Sequence, residues 1–107
     1  MTIFKKIIDR QIPAKFLYED EHCIAIEDAF PQAKVHVLII PKKEIRSMNE
    51  VSGDDQALLG HLILVAKDLA KKLNVDESGY RLLFNTNADA GQTVFHLHLH
   101  LMGGQRL

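Results

Sequence analysis

Apolar positions change their spacing several times along the chain, and each change marks an element. Ile3, Phe4, Ile7 and Ile8 in "IFKKIIDR" fall at helical intervals and Pro13 limits the run, which predicts a short amphipathic helix over residues 3–10. "FLYEDEHCIAIED" is two short runs of β-formers around the charged pivot Glu19-Asp20-Glu21, a predicted hairpin. "AFPQAK" has no period and reads as a loop. It leads into "VHVLII", a central strand stopped by Pro41. Helical spacing then returns over about residues 54–73. Leu58, Leu62, Val65 and Leu69 form one stripe, widened by Leu59, Ile63, Ala66 and Ala70. Ser52 is placed to cap this helix. Asp54 and Asp55 at its start and Lys71 and Lys72 at its end complement its dipole. "YRLLFNTN" reads as a strand, "ADAG" as a polar turn and "TVFHLHLHLM" as a final strand ending at Gly103-Gly104. The predicted class is therefore α+β: an antiparallel sheet of about five strands, with the short N-terminal helix and the long helix packed on it.

Composition narrows the setting. A chain of 107 residues with a formal charge of −1 is expected to form a single domain, residues 1–107, around its own core. The balance of charge lacks the basic footprint of a protein bound to polymeric nucleic acid or an anionic membrane. One cysteine, Cys23, excludes an intrachain disulfide, and charged residues interrupt the apolar ones at the N-terminus, so a cytoplasmic location is expected. No apolar run approaches the roughly 20 residues of a membrane span.

The chemistry concentrates in "HLHLHLM", residues 96–102. On a strand, Val94, His96, His98 and His100 would share one face, successive members roughly 7 Å apart, with Phe95, Leu97, Leu99 and Leu101 on the other. Three readings compete. The imidazoles could ligate zinc, they could carry out covalent catalysis at phosphorus, or they could fill a wet groove. "NTNADAGQT", residues 85–93, offers a glycine, the amides of Asn85 and Gln92 and the Thr93 hydroxyl immediately upstream. Those groups can receive phosphate oxygens without a metal. Only Asp89 is at hand there as a carboxylate, which favours covalent catalysis over a metal centre.

These residues resemble the histidine triad, or HIT, superfamily, whose signature is His-x-His-x-His followed by apolar residues. "IFKKIIDRQIPAK", "PQAKVHVLIIPKK" and "GQTVFHLHLHLMGG" are similar to segments of its histidine triad nucleotide-binding (Hint) branch, and the resemblance spans nearly the whole chain. It implies a homodimer that binds purine nucleoside monophosphates and hydrolyses nucleoside phosphoramidates and adenylates, with no cofactor and no metal. By resemblance, His98 is the nucleophile, His100 contacts phosphate and leaving group, and His96 and His36 support them. Asn85, the Gly91 N–H and the Thr93 hydroxyl, beside Gln92, match the phosphate contacts. Asp28 matches the carboxylate that receives the ribose hydroxyls, and Ile3, Phe4, Ile7 and Ile26 match the apolar walls around the base. For each of these aliphatic side chains plain core packing is an equal alternative.

Two rival functions stay open. One is a dinucleoside polyphosphate hydrolase of the same superfamily, and the other a nucleotide-binding scaffold with weak catalysis. Members of the branch usually continue past the glycine pair with a segment that reaches toward the partner's site, whereas this sequence ends "GGQRL", which leaves the leaving-group preference open. The remaining polar residues have plain readings. His22 and Cys23, neighbours on a strand, would point to opposite faces and make a poor metal pair. Cys23 is expected to be a small buried residue and His61 to lie at a helix edge or subunit contact. "PKK", residues 41–43, reads as a solvated strand end.

Overall fold

The computed structural model describes residues 1–107. Five strands form one antiparallel sheet: β1 (Phe16–Glu19), β2 (Cys23–Glu27), β3 (Val35–Pro41), β4 (Tyr80–Leu83) and β5 (Leu99–Gly103), in the order β1-β2-β3-β5-β4. Two helices pack on it, α1 (Ile3–Ile8) and α2 (Gln56–Lys72). This is the α+β architecture that the apolar spacing predicts.

Strand alternation sorts the core into two layers. Cys23 and Ala25 of β2, Val37 and Ile39 of β3, and Leu99 and Leu101 of β5 face α2, where Leu62, Val65, Ala66, Leu69 and Ala70 close over them. Ile24, Ile26, Leu38 and Ile40 project from the other side and are covered by Phe4 and Ile7 of α1. The helices thus take opposite faces of the sheet. Burying two such layers is the main favourable term in folding. No helix is long and apolar enough to cross a membrane.

Capping sets the helix limits. The Thr2 hydroxyl accepts from the Lys5 amide, and α1 stops at Ile8, two residues before the predicted end, where Arg10 turns to φ 61°. Ser52 does act as a cap, but of a 3₁₀ turn, Gly53–Asp55, that precedes α2. Its hydroxyl accepts from Asp54 N–H while the Asp55 carboxylate accepts from Ser52 N–H.

The largest departure is at the C-terminal strand. The pattern predicts it from Thr93, yet β5 begins only at Leu99. Before that point the backbone finds other partners: Leu97 N–H donates to the Ile45 carbonyl in the loop after β3, at 2.6 Å. β4 likewise ends at Leu83 instead of continuing to Asn87. Gly103 closes β5 where a side chain would be tightly crowded. A Cβ there would lie 3.2 Å from both the Gly79 carbonyl oxygen and the Val75 Cβ.

Cys23 is fully buried, and burial together with the neighbouring Asp20 pushes its thiol up to about 12. His61, on α2, is paired: its Nε2 lies 2.6 Å from Asp20 Oδ2 in the β1–β2 turn, and the His22 ring packs edge-on against it at 5.5 Å.

Candidate active site

β3 and β5 pair so that Leu38 stands opposite His100 and His36 opposite Met102. Because both histidines project to the α1 side, their rings meet: His36 Nε2 lies 2.9 Å from His100 Nδ1. The N–H of Gln32, in the loop before β3, donates to His36 Nδ1 at 3.0 Å. A backbone N–H can only donate, so the neutral His36 ring carries its proton on Nε2 and gives that hydrogen bond to His100 Nδ1. His100 therefore keeps its own proton on Nε2, which faces the Asn85 side-chain amide at 3.4 Å and so calls for the amide oxygen on that side.

The same reasoning fixes the other two rings. His96, at 2 % exposure, lies 2.8 Å through Nε2 from the Pro41 carbonyl, which accepts. His98 Nδ1 lies 2.7 Å from the His96 carbonyl, and it must donate. The proton of a neutral His98 is thereby held on Nδ1, leaving Nε2 with a free lone pair. Phe4 of α1 braces this ring edge-on at 4.9 Å, and the His98 and His100 rings lie 5.0 Å apart.

Burial favours the uncharged form of His96, His98 and His100. It lowers the pKa of His96 and His98, and with the positive fields of His98 and His36 it brings His100 down to about 4. The Asp28 carboxylate opposes the shift at His98 and His100. One of its oxygens lies 3.4 Å from His36 Nε2, and the other accepts from Phe30 N–H at 2.8 Å.

Other residues singled out in the sequence fall into two groups. Asp28, His36, His96, His98, His100, Asn85 and Phe4 converge. Thr93 is exposed at the end of the 85–93 turn, and Ile3 is half-exposed on α1. Ile7 and Ile26 are core residues, as the alternative reading of the aliphatic positions allows. Gly91 and Gln92 are engaged within the chain. The Gly91 N–H is already given to the Ala88 carbonyl at 2.9 Å, closing the 3₁₀ turn Ala88–Ala90 with the glycine at φ 80°. Gln92 is buried, its Oε1 accepting from Asn87 N–H and its Nε2 donating to the carbonyls of Arg46 and Val94. It clamps the turn and has no amide atom to spare for a ligand. The reason is steric containment: the side chain points inward, toward the loop after β3.

Three groups in the site escape a reading of side chains alone, namely the Gln32 N–H and the carbonyls of Pro41 and His96. Each is backbone, so no residue type advertises it. Pro41 marks where β3 stops, and its carbonyl accepts from the His96 ring.

Comparison with known proteins bears on the family and the fold. The HIT domain model matches residues 9–107. The chain is 46% identical over 106 residues to the purine nucleoside phosphoramidase of Escherichia coli, covering 99% of this chain and 89% of that protein. It is 53% identical over 104 residues to an uncharacterized HIT-like protein of Synechocystis, covering 97% and 90%. Among solved structures, a HIT family hydrolase from Legionella pneumophila superposes with a TM-score of 0.97 at 46% identity, covering 99% of this chain and 95% of that one.

Proposed function

This chain belongs to the HIT domain family, and from that premise we propose that it hydrolyses purine nucleoside phosphoramidates and adenylates through a nucleotidyl-histidine intermediate on His98. The carrying observation is the 2.7 Å contact of His98 Nδ1 with the His96 carbonyl, which leaves Nε2 as the atom able to attack. In the first step the Nε2 lone pair forms a bond to the α-phosphorus. The phosphorus–nitrogen bond breaks, and the amine departs with that electron pair and a proton drawn from solvent past His100. His98 is then a nucleotidylated, positively charged ring, and the carbonyl of His96 accepts from its Nδ1–H more strongly as that charge develops. Water displaces the ring from phosphorus in the second step, releasing the nucleoside monophosphate and returning the proton.

The remaining roles follow from position. His100 Nε2–H, Asn85 and the Thr93 hydroxyl receive the phosphoryl oxygens, with His36 holding His100 in the tautomer that donates. Gly91 and Gln92 shape the turn that presents Thr93. Asp28 receives the ribose hydroxyls, and Ile3 and Phe4 flank the base against the floor formed by Ile7 and Ile26. We further infer a homodimer, because Ile63 and Leu64 on the outer side of α2 are 45% and 57% exposed in the single chain. A cytoplasmic location fits this substrate class.

A fluorogenic adenosine phosphoramidate assayed on wild type and on His98→Ala tests the proposal. The variant is expected to bind AMP and to lose turnover by about 10³-fold or more, the usual scale for a lost nucleophile. Near-wild-type turnover, or a trapped nucleotide attached to another residue, would overturn it. Faster cleavage of a diadenosine polyphosphate in the same assay would favour the phosphoanhydride substrate, and AMP binding without amine release would favour the scaffold.

A further inference from the structure

A second cluster of ligating groups lies on the α2 side of the sheet, outside the machinery described above. The Asp20 carboxylate, the Cys23 thiol and the His61 ring each place one donor atom within 4.8 Å of the others. The fold brings them together from the β1–β2 turn (Asp20), the start of β2 (Cys23) and α2 (His61), with Asp20 and His61 41 residues apart. We propose that Asp20, Cys23 and His61 form a binding site for a zinc-like divalent transition metal.

Geometry supports it. Ligand atoms at about 2.0–2.3 Å from a tetrahedral zinc ion lie roughly 3.3–3.8 Å from one another, so sub-ångström to ångström adjustments convert the present cluster into a coordination shell. The Asp20–His61 contact would open from 2.6 Å, and the thiol would draw in. Asp20 is already oriented for this. His22 N–H and Cys23 N–H hold its Oδ1 at 2.8 and 2.9 Å, and the Tyr18 hydroxyl donates to its Oδ2 at 2.8 Å beside His61. Such outer partners are what fix ligating carboxylates in metal sites.

Donor chemistry selects the ion. One sulfur, one imidazole nitrogen and one carboxylate oxygen suit zinc and its neighbours and not magnesium or calcium, which take oxygen shells. A thiolate and a carboxylate side by side repel, and a dication supplies the positive charge the pair lacks. Entry is open from the solvent side, where Asp20 and His61 side chains are 21% and 34% exposed, with the thiol as the floor. The fourth position faces solvent and can be taken by water.

Cobalt(II) titration of the reduced, chelator-treated full-length protein tests the site, because a thiolate–cobalt charge-transfer band reports sulfur ligation. The expected result is one equivalent of cobalt bound with that band, displaced by zinc. Cys23→Ser should abolish the band, and His61→Asn should weaken affinity by at least about tenfold. His36→Asn should leave the band unchanged. That last variant separates this site from Asp28, His36 and His100, which also place ligand atoms within 4.8 Å of one another but contain no sulfur. Cobalt bound without the band, no binding at micromolar cobalt, or a band of undiminished affinity in His61→Asn would each overturn the proposal. The wild-type band alone decides ligation by Cys23 even if a variant fails to fold.

Discussion

The residue that most constrains the chemistry is His100, because its proton inventory is set from three sides. Burial, His98 and His36 hold its pKa to about 4, while an unfolded chain would titrate near 6.5. Between those values the unfolded state binds more protons than the folded one, so stability falls as pH drops from about 6.5 toward 4 and levels off below. His96 and His98, also lowered, act in the same direction. Turnover should follow the same limb, flat through neutral pH and lost on acidification as His98 Nε2 takes up a proton. His100→Asn removes one of these groups, and chemical unfolding at pH 5 and 7 should show a smaller loss of stability on acidification than in wild type. An unchanged difference would assign the acid sensitivity elsewhere.

At the scale of elements, the turn at residues 85–93 and the segment before β5 depend on one buried amide. Gln92 reaches the Arg46 carbonyl 46 residues away and holds Asn87, whose φ of 63° and ψ of −172° are costly for any residue but glycine. Gln92→Ala leaves those backbone groups without a partner and releases the strained turn. A loss of about 1–3 kcal/mol in denaturant unfolding is expected, with KM for the phosphoramidate raised more than kcat is lowered. Much of this element was legible in the sequence. The alternation of histidine with leucine correctly assigns Leu99 and Leu101 to the core and His100 to the opposite face, because side-chain parity survives wherever the backbone stays extended. The pattern could not show that the strand starts at Leu99. His98 bonds the His96 carbonyl through its own side chain and Leu97 bonds the Ile45 loop, and both contacts take the place of ladder pairing. Nor could it show the reach of Gln92 or the pairing of His61 with Asp20, since contacts that distant in sequence leave no local period.

For the molecule as a whole, two core layers share one sheet, and the histidine face lies on the thinner of them. The six-residue α1 covers it, against seventeen residues of α2 on the other side. The outer side of α2 still shows Ile63 and Leu64 to solvent. Leu64→Glu should therefore shift sedimentation from dimer to monomer at micromolar concentration while leaving the circular dichroism unchanged. A wild-type monomer would remove the dimer. Gly103 closes a different kind of link. It sits on the strand that carries His100, paired with Val35 on the strand that carries His36, and a Cβ there would press at 3.2–3.3 Å on Gly79, Val75 and Tyr80 from the other side. Relief of that crowding in Gly103→Ala would push β5 away from those neighbours by a few tenths of an ångström, and the 2.9 Å contact between the two rings would absorb the shift. A change three positions from His100, at a residue that has no side chain to offer a nucleotide, should then surface as a slower enzyme of nearly unaltered substrate affinity.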